Sequence, residues 1–171
     1  ESYTVNYYVP NIHNTYISGL ASFDIDEKNN YNRSLSFNRS FFSAFTKWAG
    51  GISYLQHYNS DILYDPDSIP FNQNYKYDAQ DYWGGKAWRI QHGRSENERT
   101  TRLILSGRVS TIHYKDRPLP LYDSLGIFAN ETFYLMGLGL SRRRYDQDRY
   151  IFRYGQTEDV PVGKAYSFVH G

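Results

Sequence analysis

The chain has 171 residues, 19 Lys and Arg against 18 Asp and Glu, and no cysteine. The balanced charge gives no support for nucleic-acid binding, and the lack of cysteine excludes disulfides, a Cys nucleophile and thiolate metal ligands. The chain holds 18 Tyr, 10 Phe and 3 Trp, yet its mean hydropathy is −0.70. The sequence contains no apolar run of about 18 residues, which excludes transmembrane helices but not strands that show apolar residues at every second position.

Alternation of apolar and polar residues predicts strands along most of the chain. In the first of them Tyr3, Val5 and Tyr7 share one face, and Ser2 and Thr4 lie on the other. The pattern therefore predicts an all-β, antiparallel up-and-down meander with sequential neighbours paired. About nine strands are expected, at residues 2–9, 15–24, 33–41, 48–64, 75–91, 102–114, 132–144, 149–154 and 163–169.

The links between these strands are of two predicted kinds. Short polar links predict tight hairpins at residues 10–14, 43–46, 92–97 and 146–148. Longer links are predicted at residues 25–32, 65–74 and 115–131. Because the two kinds alternate, all short turns would lie at one end of a meander, a layout typical of transmembrane β-barrels. Residues 1–171 are expected to form a single segment of such a barrel.

One apolar set of each strand would face lipid in a barrel of this kind. The expected lipid-facing residues are Tyr3, Val5, Tyr7, Leu35, Phe37, Leu103, Leu105, Tyr134, Met136, Leu138 and Leu140, with Val9 and Val109 in the same sets. Gly137 and Gly139 would lie on the opposite face and leave room for an inserted segment. Aromatic girdles at the membrane surfaces would use Trp48, Trp83, Trp88, Tyr54, Tyr82 and Tyr134.

Two stretches resemble a known family. Residues 149–163, RYIFRYGQTEDVPVG, and residues 37–51, FNRSFFSAFTKWAGG, are similar to segments of BamA/TamA-like barrels of the Omp85 (surface antigen D15) superfamily in Bacteroidetes-type bacteria. The superfamily's Val/Ile-Arg-Gly-Phe/Tyr tetrapeptide and its POTRA-like βααββ unit are not in this sequence. Such barrels have sixteen strands, so the chain is expected to be an internal segment of one. The resemblance implies a structural motif formed by Arg153, Tyr154, Gly155, Thr157, Glu158, Asp159, Pro161 and Gly163.

The resemblance also implies a location and a role. The parent protein would lie in the bacterial outer membrane and act, without catalysis or a cofactor, in outer-membrane protein assembly or translocation. Its partners would be outer-membrane lipid or lipopolysaccharide and client outer-membrane proteins, with no nucleic acid. Glu158 and Asp159 are expected to form a structural ion pair with one of Arg142, Arg143 and Arg144. In the alternative expectation, these arginines extend to lipid phosphate at the membrane surface.

Other chemistries receive less support from the residues. The five histidines lack the spacing of metal ligands, so no metal site is predicted. Ser53 or Ser110 with His57 or His113 would be the candidates for a serine hydrolase, but no Gly-x-Ser-x-Gly elbow supports it. Asp65 and Asp67 lack the surrounding pattern of a calcium loop. The alternative to a barrel is a soluble secreted all-β module that binds carbohydrate with exposed Tyr and Trp.

Overall fold

The computed structural model describes residues 2–43, 45–64, 70–90, 101–119, 123, 126–149 and 157–171. These residues form eight strands: β1 (Tyr3–Val9), β2 (Ser18–Ile25), β3 (Tyr31–Arg39), β4 (Trp48–Tyr64), β5 (Pro70–Arg89), β6 (Thr101–Asp116), β7 (Glu131–Arg149) and β8 (Thr157–His170). Each strand is hydrogen-bonded to the next one in sequence, and β1 and β8 are the edges of the sheet. The predicted all-β antiparallel meander is therefore confirmed.

Helical structure in the described residues is limited to one 3-10 turn, Ile12–Asn14, in the link between β1 and β2. Within the same residues, no helix has the length and apolar character needed to cross a membrane.

The strand boundaries differ from the prediction near the C-terminal end. Residues 146–148, which were predicted to form a tight turn, lie inside β7. Their backbone pairs with β8, where Gln147 lies opposite Asp159, and this pairing keeps a polar stretch extended. Arg149 ends β7, and the rest of the predicted strand at 149–154 lies outside the described residues. The described strands therefore number eight where about nine were predicted.

The predicted alternation of short and long links is wrong. Residues 26–30 join β2 to β3 and form a shorter link than residues 10–17 or 40–47, which precede β2 and β4. The link is compact because the Asp26 carboxylate accepts hydrogen bonds from the backbone N–H groups of Lys28 and Asn30, each at 2.8 Å. Strand pairing consequently extends up to Ile25 and resumes at Tyr31.

Contacts group the chain into two compact units. Unit 1 consists of Glu1–Ser40, Gly50–Trp83 and Arg108–Tyr134. Unit 2 consists of Phe41–Ala49, Gly84–Gly107 and Leu135–Gly171.

Large apolar side chains do not form a buried core in the part of the chain that the structure describes. The buried residues there are Ala49, Ala87, Gly19 and Pro118, with Thr46 and Gln73 as the buried polar ones. Soluble domains instead bury Leu, Ile, Val and Phe, because removal of these side chains from water drives folding. The exposed large apolar residues in the described chain are accordingly many, and they follow a pattern that defines the candidate site.

Candidate functional site

Strand register aligns the apolar residues of unit 1 into rows on one side of the sheet. One row consists of Val9, Gly19, Phe37 and Ile52, and the next of Tyr7, Ala21, Leu35 and Tyr54. Large side chains in these rows are open to solvent: Tyr7 is 69% exposed, Leu35 46% and Ile52 50%. We call this side the apolar face of unit 1. It includes the predicted residues Tyr3, Val5, Tyr7, Leu35 and Phe37.

The opposite side of the same strands, the polar face of unit 1, has another composition. Its rows contain Asn6, Ser22, Ser34 and Leu55, then Tyr8, Leu20, Ser36 and Ser53. Ser34, Ser36 and Ser53 are half-buried, whereas their neighbours Leu35 and Ile52 are exposed. At residues 34–37 of β3 and 52–54 of β4 the apolar side chains are therefore more exposed than the polar ones, the reverse of a strand in a soluble domain.

Trp83 packs on the polar face of unit 1 and corrects one sequence prediction. A Cβ on Gly51 would collide with Nε1 of the Trp83 indole and would lie 2.9 Å from the side-chain oxygen of Asn38. Trp83 is half-buried, while its neighbour Tyr82 is 50% exposed. Adjacent strand residues point to opposite faces, so Trp83 does not share a face with Tyr54 and Tyr82, as a common girdle would require.

Aromatic rings from three strands meet on the polar face of unit 1. The His57 ring centroid lies 5.6 Å from that of Tyr75 and 5.2 Å from that of Tyr77. Tyr77 contacts Tyr114 at 5.3 Å, and Phe128, from the link before β7, contacts Tyr114 at 5.7 Å. Aromatic rings of three strands and Phe128 of a connecting link thus pack together on the polar face of unit 1.

This geometry does not assemble the hydrolase considered from the sequence. Ser110 and His113 are an odd number of residues apart on β6, so their side chains leave opposite faces of the sheet. In the described part of the chain, no hydrogen bond joins Ser53 or Ser110 to His57 or His113. Nor do three His, Asp or Glu side chains of that part cluster as metal ligands would. Asp65 and Asp67 lie outside the described residues.

Unit 2 has an exposed apolar set of its own. Met136, Leu138 and Leu140 alternate along β7 and are 65%, 50% and 41% exposed. The register places Leu138 opposite Phe168 and Leu140 opposite Tyr166, both also exposed. The apolar face of unit 2 is defined by these five residues.

Small residues line the other side of β7 in unit 2. A Cβ on Gly137 would lie 2.5 Å from Oγ of Ser106, whereas one on Gly139 would lie 3.7 Å from Cβ of Ile104. An open cavity of about 200 Å³ borders these glycines and Ser141. Ser106 therefore fills the space beside Gly137, Gly139 has neighbours at ordinary contact distance, and room for an inserted segment stays a prediction.

The remaining predicted lipid-facing residues are also placed. Leu105 is 43% exposed and Tyr134 67% exposed, while Leu103 is half-buried. Lipid contact of these side chains, as of the two apolar faces, stays a prediction.

The motif-like segment is described in part. Arg153, Tyr154 and Gly155 lie outside the described residues. The backbone of β8 contains the other predicted motif residues, Thr157, Glu158, Asp159, Pro161 and Gly163. Pro161 lies opposite Tyr145, and its lack of an N–H is tolerated in β8 because this strand is an edge of the sheet.

Backbone register bears on the expected ion pair of Glu158 and Asp159. Glu158 lies opposite Asp148, and Asp159 lies opposite Gln147. Arg142, Arg143 and Arg144 lie opposite Lys164, Gly163 and Val162. The backbone register therefore places none of the three arginines directly opposite Glu158 or Asp159, and the ion pair stays a prediction.

Charged side chains on the apolar face of unit 1 were missed by the sequence analysis. The Arg33 guanidinium lies over the rings of Phe23 and Tyr31, 5.3 Å and 4.6 Å from their centroids. The Asp78 carboxylate accepts hydrogen bonds from the Lys115 ammonium at 2.5 Å and from the Gln56 amide at 3.1 Å. Apart from the contact of Arg33 with Tyr31, which lies within β3, these contacts join different strands and depend on register. The only signal in the sequence was the position of Arg33 beside the apolar set of β3.

No protein-family model, curated protein or solved structure matches the chain.

Proposed function

We propose that this chain is a segment of an outer-membrane β-barrel whose apolar faces contact lipid. The observation that carries the proposal is the reversed burial along β3 and β4, where Leu35 and Ile52 are exposed while Ser34 and Ser53 are half-buried. Transmembrane barrels turn apolar residues outward to lipid and polar residues inward. The same sheet in water would leave its apolar faces without a partner.

Strand length supports the proposal. A tilted strand crosses a bilayer with about 9–11 residues. β4, β5, β6, β7 and β8 contain 17, 20, 16, 19 and 14 residues, and β3 contains 9. β1 and β2, with 7 and 8, are shorter than this range. The strands from β3 onward therefore have the length that a spanning strand needs.

The proposed role of the parent protein follows from the family resemblance of residues 37–51 and 149–163. It is a non-enzymatic role in assembly or translocation of outer-membrane proteins of a Bacteroidetes-type bacterium. Outer-membrane lipid or lipopolysaccharide and client outer-membrane proteins are its proposed partners. Insertion of an unfolded barrel protein into liposomes should be faster with the inserted chain than without it, and equal rates would contradict this role.

Refolding tests the membrane proposal itself. The chain would be diluted from urea into buffer, into a neutral detergent and into phosphatidylcholine liposomes, and followed by circular dichroism and size exclusion. We expect a β-rich, monodisperse species only with detergent or lipid. A β-rich monomer in buffer alone would contradict the proposal. Binding of glycans by that monomer would then support the carbohydrate-binding alternative.

A further inference from the structure

Two cations flank one aromatic ring on the apolar face of unit 1. The Arg33 guanidinium lies 4.6 Å and the Lys76 ammonium 5.9 Å from the centroid of the Tyr31 ring. Arg33 is exposed and Lys76 is half-buried. Both cations therefore lie within 6 Å of one ring centroid, and neither side chain is buried.

Nearby anions do not neutralise these two charges. Asp78, on the same strand as Lys76, already accepts hydrogen bonds from Lys115 and Gln56. Within the described residues, neither Arg33 nor Lys76 has a carboxylate at salt-bridge distance. The pair consequently presents two positive charges beside apolar rows, while the Asp78 carboxylate of the same face is already bound by Lys115 and Gln56.

The position of the pair along the strands points to an amphiphilic ligand. Arg33 is two residues from Leu35 and four from Phe37 on the same face of β3. With a rise of about 3.3 Å per residue, the backbone of Arg33 lies roughly 7 Å from that of Leu35 and 13 Å from that of Phe37. A phosphate group at Arg33 and Lys76 would therefore place an attached acyl chain along Leu35, Phe37 and Ile52.

We infer that Arg33 and Lys76 bind the phosphate group of an anionic membrane lipid, with Tyr31 holding the two cations in place. This inference rests on the proposed membrane function, since the acyl chains must lie on the apolar face. Arg presents a planar fork of N–H donors to phosphate oxygens, and Lys acts as a point charge beside it. A basic cluster next to an apolar surface is a general recognition pattern for anionic lipid headgroups.

The test measures lipid binding to the full chain in neutral detergent, by native mass spectrometry with dioctanoyl phosphatidic acid. Phosphatidylcholine of the same chain length and inorganic phosphate are the comparison ligands. We expect phosphatidic acid to bind more tightly than either one. Arg33→Gln and Lys76→Gln should each weaken that binding about fivefold, and the double variant about 25-fold. Arg33→Lys should weaken binding less than Arg33→Gln does, because it keeps the charge but loses the planar fork.

Lys47→Gln is the matched control, because Lys47 is an exposed cation in the link before β4. It should change binding less than twofold. Circular dichroism of each variant verifies that the strands still form. Unchanged affinity in the folded double variant, or equal affinity for phosphatidylcholine, would overturn the inference.

Failure of the membrane proposal would give a different result. The chain would then be a folded monomer in buffer, whatever its affinity for phosphatidic acid. Inorganic phosphate could instead bind tightly and lose affinity in the same Arg33 and Lys76 variants. That result would overturn the proposal of a lipid ligand and show a site for free phosphate.

Discussion

The indole of Trp83 lies against Gly51 on the polar face of unit 1, so close that even a methyl group on residue 51 would collide with it. The side-chain oxygen of Asn38 closes the same space from the neighbouring strand. Residue 51 is therefore a glycine because the Trp83 and Asn38 side chains occupy the space that a Cβ would need. The contact fixes the ring of Trp83 on the face opposite the exposed Tyr82.

Substitution of Gly51 tests this packing. Gly51→Ala must displace Trp83 or Asn38, and overpacking of this kind costs about 1–3 kcal/mol. Gly84→Ala is the control, since the nearest atom to its Cβ would be the Ala49 carbonyl oxygen at 4.0 Å. We expect urea unfolding in detergent to show a loss for Gly51→Ala and none for Gly84→Ala. Equal effects would contradict the close approach.

Leu138 and Gly139 test the assignment of faces in β7. Leu138→Arg should lower the free energy of unfolding by about 2–4 kcal/mol if residue 138 lies near the bilayer midplane. Gly139→Ser should cost much less, because the nearest atoms to its Cβ would be the Ile104 Cβ and the Tyr166 carbonyl oxygen, both at 3.7 Å. Unfolding of both variants from liposomes measures the difference. A larger loss at Gly139 would show that the two faces have been exchanged.

The turn between β2 and β3 lowers the pKa of the Asp26 carboxyl. Burial raises the pKa of the Asp26 carboxyl, but hydrogen bonds from Asn30 and from the Lys28 backbone outweigh it, and the pKa lies below its ordinary value of 3.8. The folded state therefore holds this proton less tightly than the unfolded state. The Asp26 carboxylate therefore stabilises the fold at pH values above its pKa in the unfolded chain. This stabilisation is lost as the pH falls through its pKa in the folded chain.

Carbon NMR of the Asp26 carboxyl measures that pKa directly. Asn30→Ala is the matched variant, because it removes the 2.8 Å hydrogen bond from the Asn30 amide and leaves the backbone donor. Its Asp26 pKa should be higher than that of the unmodified chain. A pKa at or above 3.8 in the unmodified chain would contradict the role of the turn.

The strand at residues 48–64 was predicted with the bounds that β4 has, although its alternation is weaker than that at residues 2–9 or 33–41. Alternation is a local signal, and it is strong where one face is apolar. Residues 146–148 were misread because their polar sequence resembles a turn, whereas pairing with β8 keeps them extended.

Features that depend on register were not predicted from the sequence. Arg33 meets Phe23 because these residues are directly opposite each other across β2 and β3. Trp83 was grouped with the girdle residues because alternation before Gly84 and Gly85 is weak. The sequence alone did not show which face of the strand residue 83 occupies. The expected apolar sets were easier to predict, since each set follows from alternation within one strand.

Alternation of the environment along β3 is the most direct test of a lipid-facing sheet. The chain contains no cysteine, so a single cysteine at residue 34, 35, 36 or 37 can be spin-labelled without background. In liposomes, labels at 35 and 37 should collide with oxygen more than with a water-soluble nickel complex, and labels at 34 and 36 should show the reverse. High nickel accessibility at 35 and 37, or no alternation across the four positions, would contradict the proposal that the apolar face of unit 1 contacts lipid.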